Sequence, residues 1–188
     1  MNKNRVHFNE QNAKSKLQTI IYNNIKKLNK NPQKDIIILC IGTDRSTGDS
    51  LGPLTGTMLK KDQNFSTKIF GNINEPVHAE NLNKIKNIIQ TKFKYSFIIA
   101  IDAGLGKKNS IGDIQVKNKP LKPGTGVNKN LTEVGDMHIT GLVNVGGYME
   151  YLVLQSTRLS LVMKMAEVIS YAVKSSISTL KNQHKKPV

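Results

Sequence analysis

The sequence predicts a three-layer α/β fold, a mainly parallel sheet with helices on both sides. Two nearly continuous apolar runs, residues 36–41 (IIILCI) and 95–102 (YSFIIAID), each stop at or just before glycine. Between and around them the apolar residues recur at helical intervals, and each run opens into a polar loop. Strands buried on both faces read as unbroken apolar runs, and helices alternating with them indicate βαβ units.

Residues 9–28 place Ala13, Leu17, Ile20, Ile21, Ile25 and Leu28 three and four apart, which gives one apolar helix face within a leading segment 1–34. Pro32 sits in the connection to the first strand. After that strand and the loop 43–48, a helix is expected from Asp49 or Ser50 to Lys60, with Pro53 tolerated in its first turn. Residues 66–70 form a short strand, 71–76 (GNINEP) a turn, and 80–91 a helix with Leu82, Ile85, Ile88 and Ile89 on one face. The strand 95–102 is expected to break at Ala103-Gly104-Leu105-Gly106. Residues 107–122 read as an excursion containing one strand, and 121–130 (LKPGTGVNKN) as a loop too rich in Gly and Pro for regular structure. A last strand at 139–146 precedes helical periodicity over 148–180, interrupted near Ser156-Thr157, and a frayed tail at 182–188.

A chain of 188 residues fits one domain with a core that needs no staples. Its single cysteine, Cys40, lies inside the first strand, which excludes a disulfide framework and a multi-cysteine zinc site and fits a reducing cytoplasm. No apolar run approaches the ~20 residues that span a bilayer, so no membrane partner is expected. The net charge of +15 comes from 25 lysines and only 3 arginines, and aromatic residues make up 5%. Arg forks and stacking platforms are what specific nucleic-acid readers use, so the lysines read first as a solvated surface and nucleic-acid binding ranks third among the functions.

The chemistry is expected at the junction 36–53, where a strand end meets a helix start. A phosphate loop is set aside because no Lys-Ser/Thr follows Gly48. Gly48-Asp49-Ser50-Leu51-Gly52 also spells a serine-esterase signature, but Gly48 lies six residues beyond Gly42 and no late Asp-x-x-His pair exists. A third reading joins Asp49 to Asp102, which closes the other strand. Two carboxylates in one crevice share a proton and activate water, or bind a cation together. The plain alternative makes Asp49 a helix cap and Asp102 a loop-start residue. Arg45 could hold a substrate carboxylate or pair with Asp49 and lower its pKa. Gly124, Thr125 and Gly126, in the long loop, are further substrate-binding candidates.

Three ordered stretches, GTDRSTGDSLGP, AIDAGLG and KPGTGVNKN, resemble motifs of the germination protease family of spore-forming bacteria, and the chain resembles a shorter sporulation family related to it. The resemblance covers about residues 35–147. It implies Asp49 and Asp102 as the catalytic pair, a cytoplasmic setting in the spore or forespore, and protein substrates such as small acid-soluble spore proteins. A more distant resemblance, to the hydrogenase maturation proteases, rests on the same two carboxylates and on Met137-His138-Ile139-Thr140-Gly141. It implies His138 as a third catalytic residue and Asp49, Asp102 and His138 as ligands of a divalent transition metal. The expected function is a sporulation-associated peptidase-like hydrolase. The alternative is a noncatalytic peptide-binding or regulatory homologue of the same fold. Self-association is left open by the sequence.

Overall fold

The structure, a computed structural model, describes residues 4–31, 33–123 and 132–184. Its strands are β1 (Arg5–His7), β2 (Ile36–Cys40), β3 (Lys68–Phe70), β4 (Phe97–Gly106), β5 (Asp113–Lys117) and β6 (Met137–Val145). Its helices are α1 (Ala13–Leu28), α2 (Leu51–Lys60), α3 (Leu82–Lys92), α4 (Glu150–Gln155) and α5 (Leu159–His184). The sheet has six strands in the order β1-β5-β6-β4-β2-β3. Neighbours from β3 through β6 run parallel, whereas β5 is antiparallel to both β6 and β1.

Alternation along the central strands divides the core in two. Ile38 and Cys40 of β2 and Ile99 and Ile101 of β4 face α1, α2 and α5, packing with Leu17, Ile21, Leu51, Val162 and Ile169. Ile37, Leu39 and Ala100 face the other way, onto Leu82 and Ile89 of α3. That is the expected three-layer arrangement, and it follows from the period of two along a strand and of 3.6 along a helix. No helix of the described residues is long and apolar enough to cross a membrane.

Two elements depart from expectation. β1 precedes the leading helix, which starts at Ala13; a three-residue strand carries no periodicity, and it forms through pairing with β5 and the Arg5–Asp113 ion pair. β4 does not break at residues 103–106 but continues along β6, with a bulge between Gly104 and Leu105. Glycine suits this stretch because a Cβ on Gly104 would meet Thr140 Cγ2 at 2.6 Å and one on Gly106 would meet Leu142 Cδ1 at 2.9 Å. The loop residues 124–131 and the tail residues 185–188 lie outside the described residues.

Helix α2 lies unusually close to the sheet because glycine lets backbone touch backbone. A Cβ on Gly52 would fall 2.0 Å from the Ile41 carbonyl oxygen, one on Gly56 2.0 Å from that of Gly71, and one on Gly71 1.9 Å from that of Cys40. In a free helix Gly→Ala stabilises by about 1 kcal/mol. Here Gly52→Ala is expected to have the opposite sign, a loss of about 2 kcal/mol or more from overpacking, read as a lower midpoint in urea unfolding at unchanged m.

Candidate active site

The last residues of β2 gather the site. Ile41 N–H donates to the carbonyl of Ile101, and Gly42 N–H donates to that of Val77, at 2.7 and 2.8 Å. Those acceptors immediately precede Asp102 and His78, so two backbone bonds set the positions of both residues relative to β2. Gly42 has φ of +138°, and a Cβ there would lie 2.0 Å from the Asp49 carbonyl oxygen. Only glycine accommodates both the dihedral and the contact. Asp49 thus sits over the strand end, in a single 3-10 turn (Gly48–Ser50) that leads into α2 and packs against β4.

Burial and mutual repulsion set the electrostatics. Asp102 is 8% exposed. Burial, and then the charge of Asp49, hold its carboxyl well above the ordinary carboxylate range, with the Ala103 backbone N–H opposing. Asp49 is half-buried; desolvation raises its pKa, while the Thr43 backbone N–H and the charge of His78 pull it down. The two carboxyls therefore form a coupled pair in which a proton is retained more easily than at an exposed aspartate. Asp102, the more buried, is the natural holder of that proton, and Asp49, with its two stabilising partners, the natural holder of the charge.

His78 was not anticipated. Its backbone N–H donates to Asn81 Oδ1 at 2.9 Å, and its carbonyl accepts from Leu82 N–H at 2.9 Å, so the start of α3 fixes its backbone. Its Nδ1 faces the Glu80 N–H at 3.4 Å. The available sequence signal was its place directly after the turn 71–76, at what proves to be a one-residue extension of the sheet, the Ile41–Val77 bridge.

His138 is on β6, opposite Ala100 and two residues before the partner of Asp102. It is 4% exposed, and its Nδ1 lies 2.7 Å from the Lys119 carbonyl, which can only accept; Nδ1 therefore carries a proton. Burial lowers its pKa, the Lys119 carbonyl raises it, and Lys117 and Lys119 are the charges that act on it. Its electrostatic neighbours are those lysines and not the carboxylates. Among the described residues no three His, Cys, Asp or Glu side chains are arranged to hold a metal ion. The expected ligand set of Asp49, Asp102 and His138 is therefore not assembled, because His138 is drawn to the β5 side of β6. Among the described residues, these three side chains do not together fit a resident metal.

Arg45 is exposed, its backbone N–H donates to Thr43 Oγ1 at 3.2 Å, and it is absent from the groups that act on Asp49. The pairing with Asp49, one of the two roles the sequence leaves open for Arg45, is not among the ion pairs of the described residues. Gly124, Thr125 and Gly126 lie outside the described residues. Ser50 is 5% exposed and its hydroxyl donates to the Thr47 carbonyl at 2.6 Å, a local bond that leaves it no nucleophile's role. Cys40 is equally inert, since burial pushes its thiol pKa up to about 12. Asp136 is structural: its Oδ2 accepts from the Ile98 N–H at 2.7 Å beside the start of β4.

This fold is shared. The structure is similar to a [NiFe] hydrogenase maturation protease, HycI, of Thermococcus kodakarensis KOD1, with a TM-score of 0.54 and 16% identity over 82% of this chain and 98% of that one. In sequence, the uncharacterized protein YyaC of Bacillus subtilis (strain 168) is 51% identical over 158 residues, which cover 84% of this chain and 76% of that protein. The model of the DUF1256 family, described as a protein of unknown function, matches residues 5–172, and the chain belongs to that family.

Proposed function

We propose that the protein is a peptidase that cleaves a polypeptide with the Asp49–Asp102 pair, in a sporulation-associated role. The observation that carries this reading is geometric: the end of β2 holds the Asp49 backbone against Gly42 and bonds through Ile41 to Ile101, the residue before buried Asp102, and the charge of Asp49 accordingly raises the pKa of Asp102. The resemblance of the three motif stretches to the germination protease family supports the spore setting, and the likeness in fold to a maturation protease supports peptide chemistry. Neither carries a substrate over to this chain.

In the proposed reaction, Asp49 takes a proton from water as the water oxygen bonds to the scissile carbonyl carbon. Asp102 gives its proton to the carbonyl oxygen, which neutralises the charge that develops there. When the tetrahedral intermediate collapses, the C–N bond breaks and the amine leaves with the proton from Asp49. Asp102 recovers its proton from the carbonyl hydroxyl as the acid product forms. His78, beside Asp49, is a positioning residue that favours the ionised form of that carboxyl.

A surface suited to polypeptide borders the crevice. Tyr148, Met149, Tyr151, Leu152 and Leu159 are each more than half exposed. The α4 helix, which carries Tyr151 and Leu152, lies on the Gly48 turn, where a Cβ would be 2.8 Å from Leu154 Cδ2. In the chain, exposed Arg45 precedes Asp49, exposed Lys107 and Lys108 follow β4, and exposed Arg158 lies between α4 and α5. An apolar segment flanked by acidic residues is the substrate such a surface would select.

A peptide-library digest read by mass spectrometry, with and without chelator, tests the reading. Cleavage is expected in both arms, and Asp49→Asn and Asp102→Asn are each expected to lower it by about 100-fold or more. Variants that still cleave would overturn the assignment to this pair, whereas a parent that does not cleave, with variants that still perform the protein's role in the cell, would identify a peptide-binding homologue. Leu152→Asp is expected to raise KM about 10-fold at constant kcat, because it removes binding made equally in ground and transition states. His78→Gln is expected to shift the acid limb of the pH–rate profile to higher pH, since the charge that lowers the Asp49 pKa is gone.

Asp102 also links pH to stability. Its folded pKa is raised, so between its ordinary value and that folded value the native state holds a proton that the unfolded state has lost. Stability is then fully present below the unfolded pKa and falls as pH rises towards the folded pKa. Asp102→Asn is accordingly expected to raise Tm at pH 8 by about 2–4 °C, equivalent to roughly 1 kcal/mol in a chain of this size, with little change at pH 4. Thermal scans at the two pH values check it.

A further inference from the structure

At the opposite end of the sheet, where α1 and α5 end and β2 and β3 begin, lies a cleft of about 760 Å³. Its volume is within the range of small-molecule sites. Lys26, Lys30, Lys34, Lys68 and Lys181 line it, against Asp35 as the one acid. Five of its sixteen lining residues are thus lysine, where the composition of 25 lysines in 188 residues would place about two. None of the five takes part in an ion pair among the described residues. Lys181 instead donates to the hydroxyls of Ser66 and Thr67, at 3.1 and 3.3 Å, and Lys68 lies 5.8 Å from the Phe93 ring centre. Such a cluster repels itself and is relieved by a bound polyanion.

Two further observations specify the ligand. Phe65, Phe93 and Leu180 line the same cleft, so a flat apolar body can be covered there while its charges meet the lysines. Asn29 Oδ1 is buried and accepts no hydrogen bond. A buried acceptor without a donor is uncommon, and a ligand N–H would satisfy it. We propose that this cleft binds a nucleotide-like small polyanion, with its phosphates on the lysines, its ring over the apolar lining and a ring N–H on Asn29 Oδ1. The site is remote from Asp49 and Asp102 and does not depend on their chemistry.

Titration of the 188-residue chain with a fluorescent ATP analogue at fixed ionic strength tests the proposal. Binding in the micromolar range is expected, displaced by ATP and at least about 10-fold less well by inorganic tripolyphosphate, a discrimination of roughly 1.4 kcal/mol. Lys26→Glu with Lys30→Glu, both exposed in the parent, is expected to weaken binding at least 10-fold. Asn29→Ala is expected to weaken ATP while leaving tripolyphosphate unchanged. Equal binding by the double variant and the parent would overturn the proposal. So would tripolyphosphate displacing the analogue as well as ATP does, which would mean charge recognition alone, or a poly-glutamate peptide displacing it better, which would mean an acidic polypeptide. Asp49→Asn is expected to bind the analogue as the parent does, so this result and the fate of the peptidase reading are separable.

Discussion

The candidate site of this molecule depends on the backbone of two residues, Ile41 and Gly42. They extend β2 beyond its last regular residue and bond to Ile101 on one side and Val77 on the other, while the Asp49 backbone rests on the face of Gly42. Asp102, His78 and Asp49 are each one residue from, or part of, those contacts. A side chain at Gly42 would push the turn away, and with it the carboxyl that completes the pair. The further glycine contacts, Gly52 on Ile41, Gly56 on Gly71 and Gly71 on Cys40, continue the same constraint along α2 and β3. The position of an acid group is thus fixed by the absence of Cβ atoms, a rigid means of setting geometry because backbone has no rotamers to explore.

The same arrangement costs stability. An aspartate buried beside another would be expelled from a core selected only for folding, since both desolvation and repulsion penalise its charge. The fold tolerates it because its neighbours in β2 and β4, Ile38, Cys40, Ile99 and Ile101, are fully buried in the core and supply the apolar packing that the acid does not. Asp49 comes from the 3-10 turn before α2, His78 from the segment before α3 and Asp102 from within β4, while α1 and α5 pack on one face of the sheet. The lysine cleft lies at the other end of the strands, where the surface is charged by the ends of α1 and α5.

Much of this was legible in the sequence, and the residues show why. The runs 36–41 and 95–102 have no alternation because both faces of each strand are covered, so they announced the parallel centre of the sheet. Leu17, Ile21 and Ile25, and Leu82 and Ile89, repeat at helical spacing because each helix covers one face, and all five are buried. Strand β1 was illegible because three residues hold no period, and the extension of β4 through Gly104 and Gly106 because those glycines answer to Thr140 and Leu142 across the ladder, not to their own chain. The esterase signature was a coincidence of letters, visible as such once the Ser50 hydroxyl is seen bonded within its own turn.

By itself the sequence determined the layers and the order of the main elements, because periodicity is a local property, whereas the end it expected for the strand at Asp102 is overridden by pairing of Asp102 to Gly106 with β6. Tertiary structure alone decided which groups share a space. His138, promising by its motif, is held by the Lys119 carbonyl beside β5, and His78, without a motif, is carried to Asp49 by a single β-bridge. Proton sharing and charge stabilisation fall off over a few ångströms, and distances of that kind between residues far apart in the chain are set by strand register and by the glycine contacts under α2, which no local pattern records.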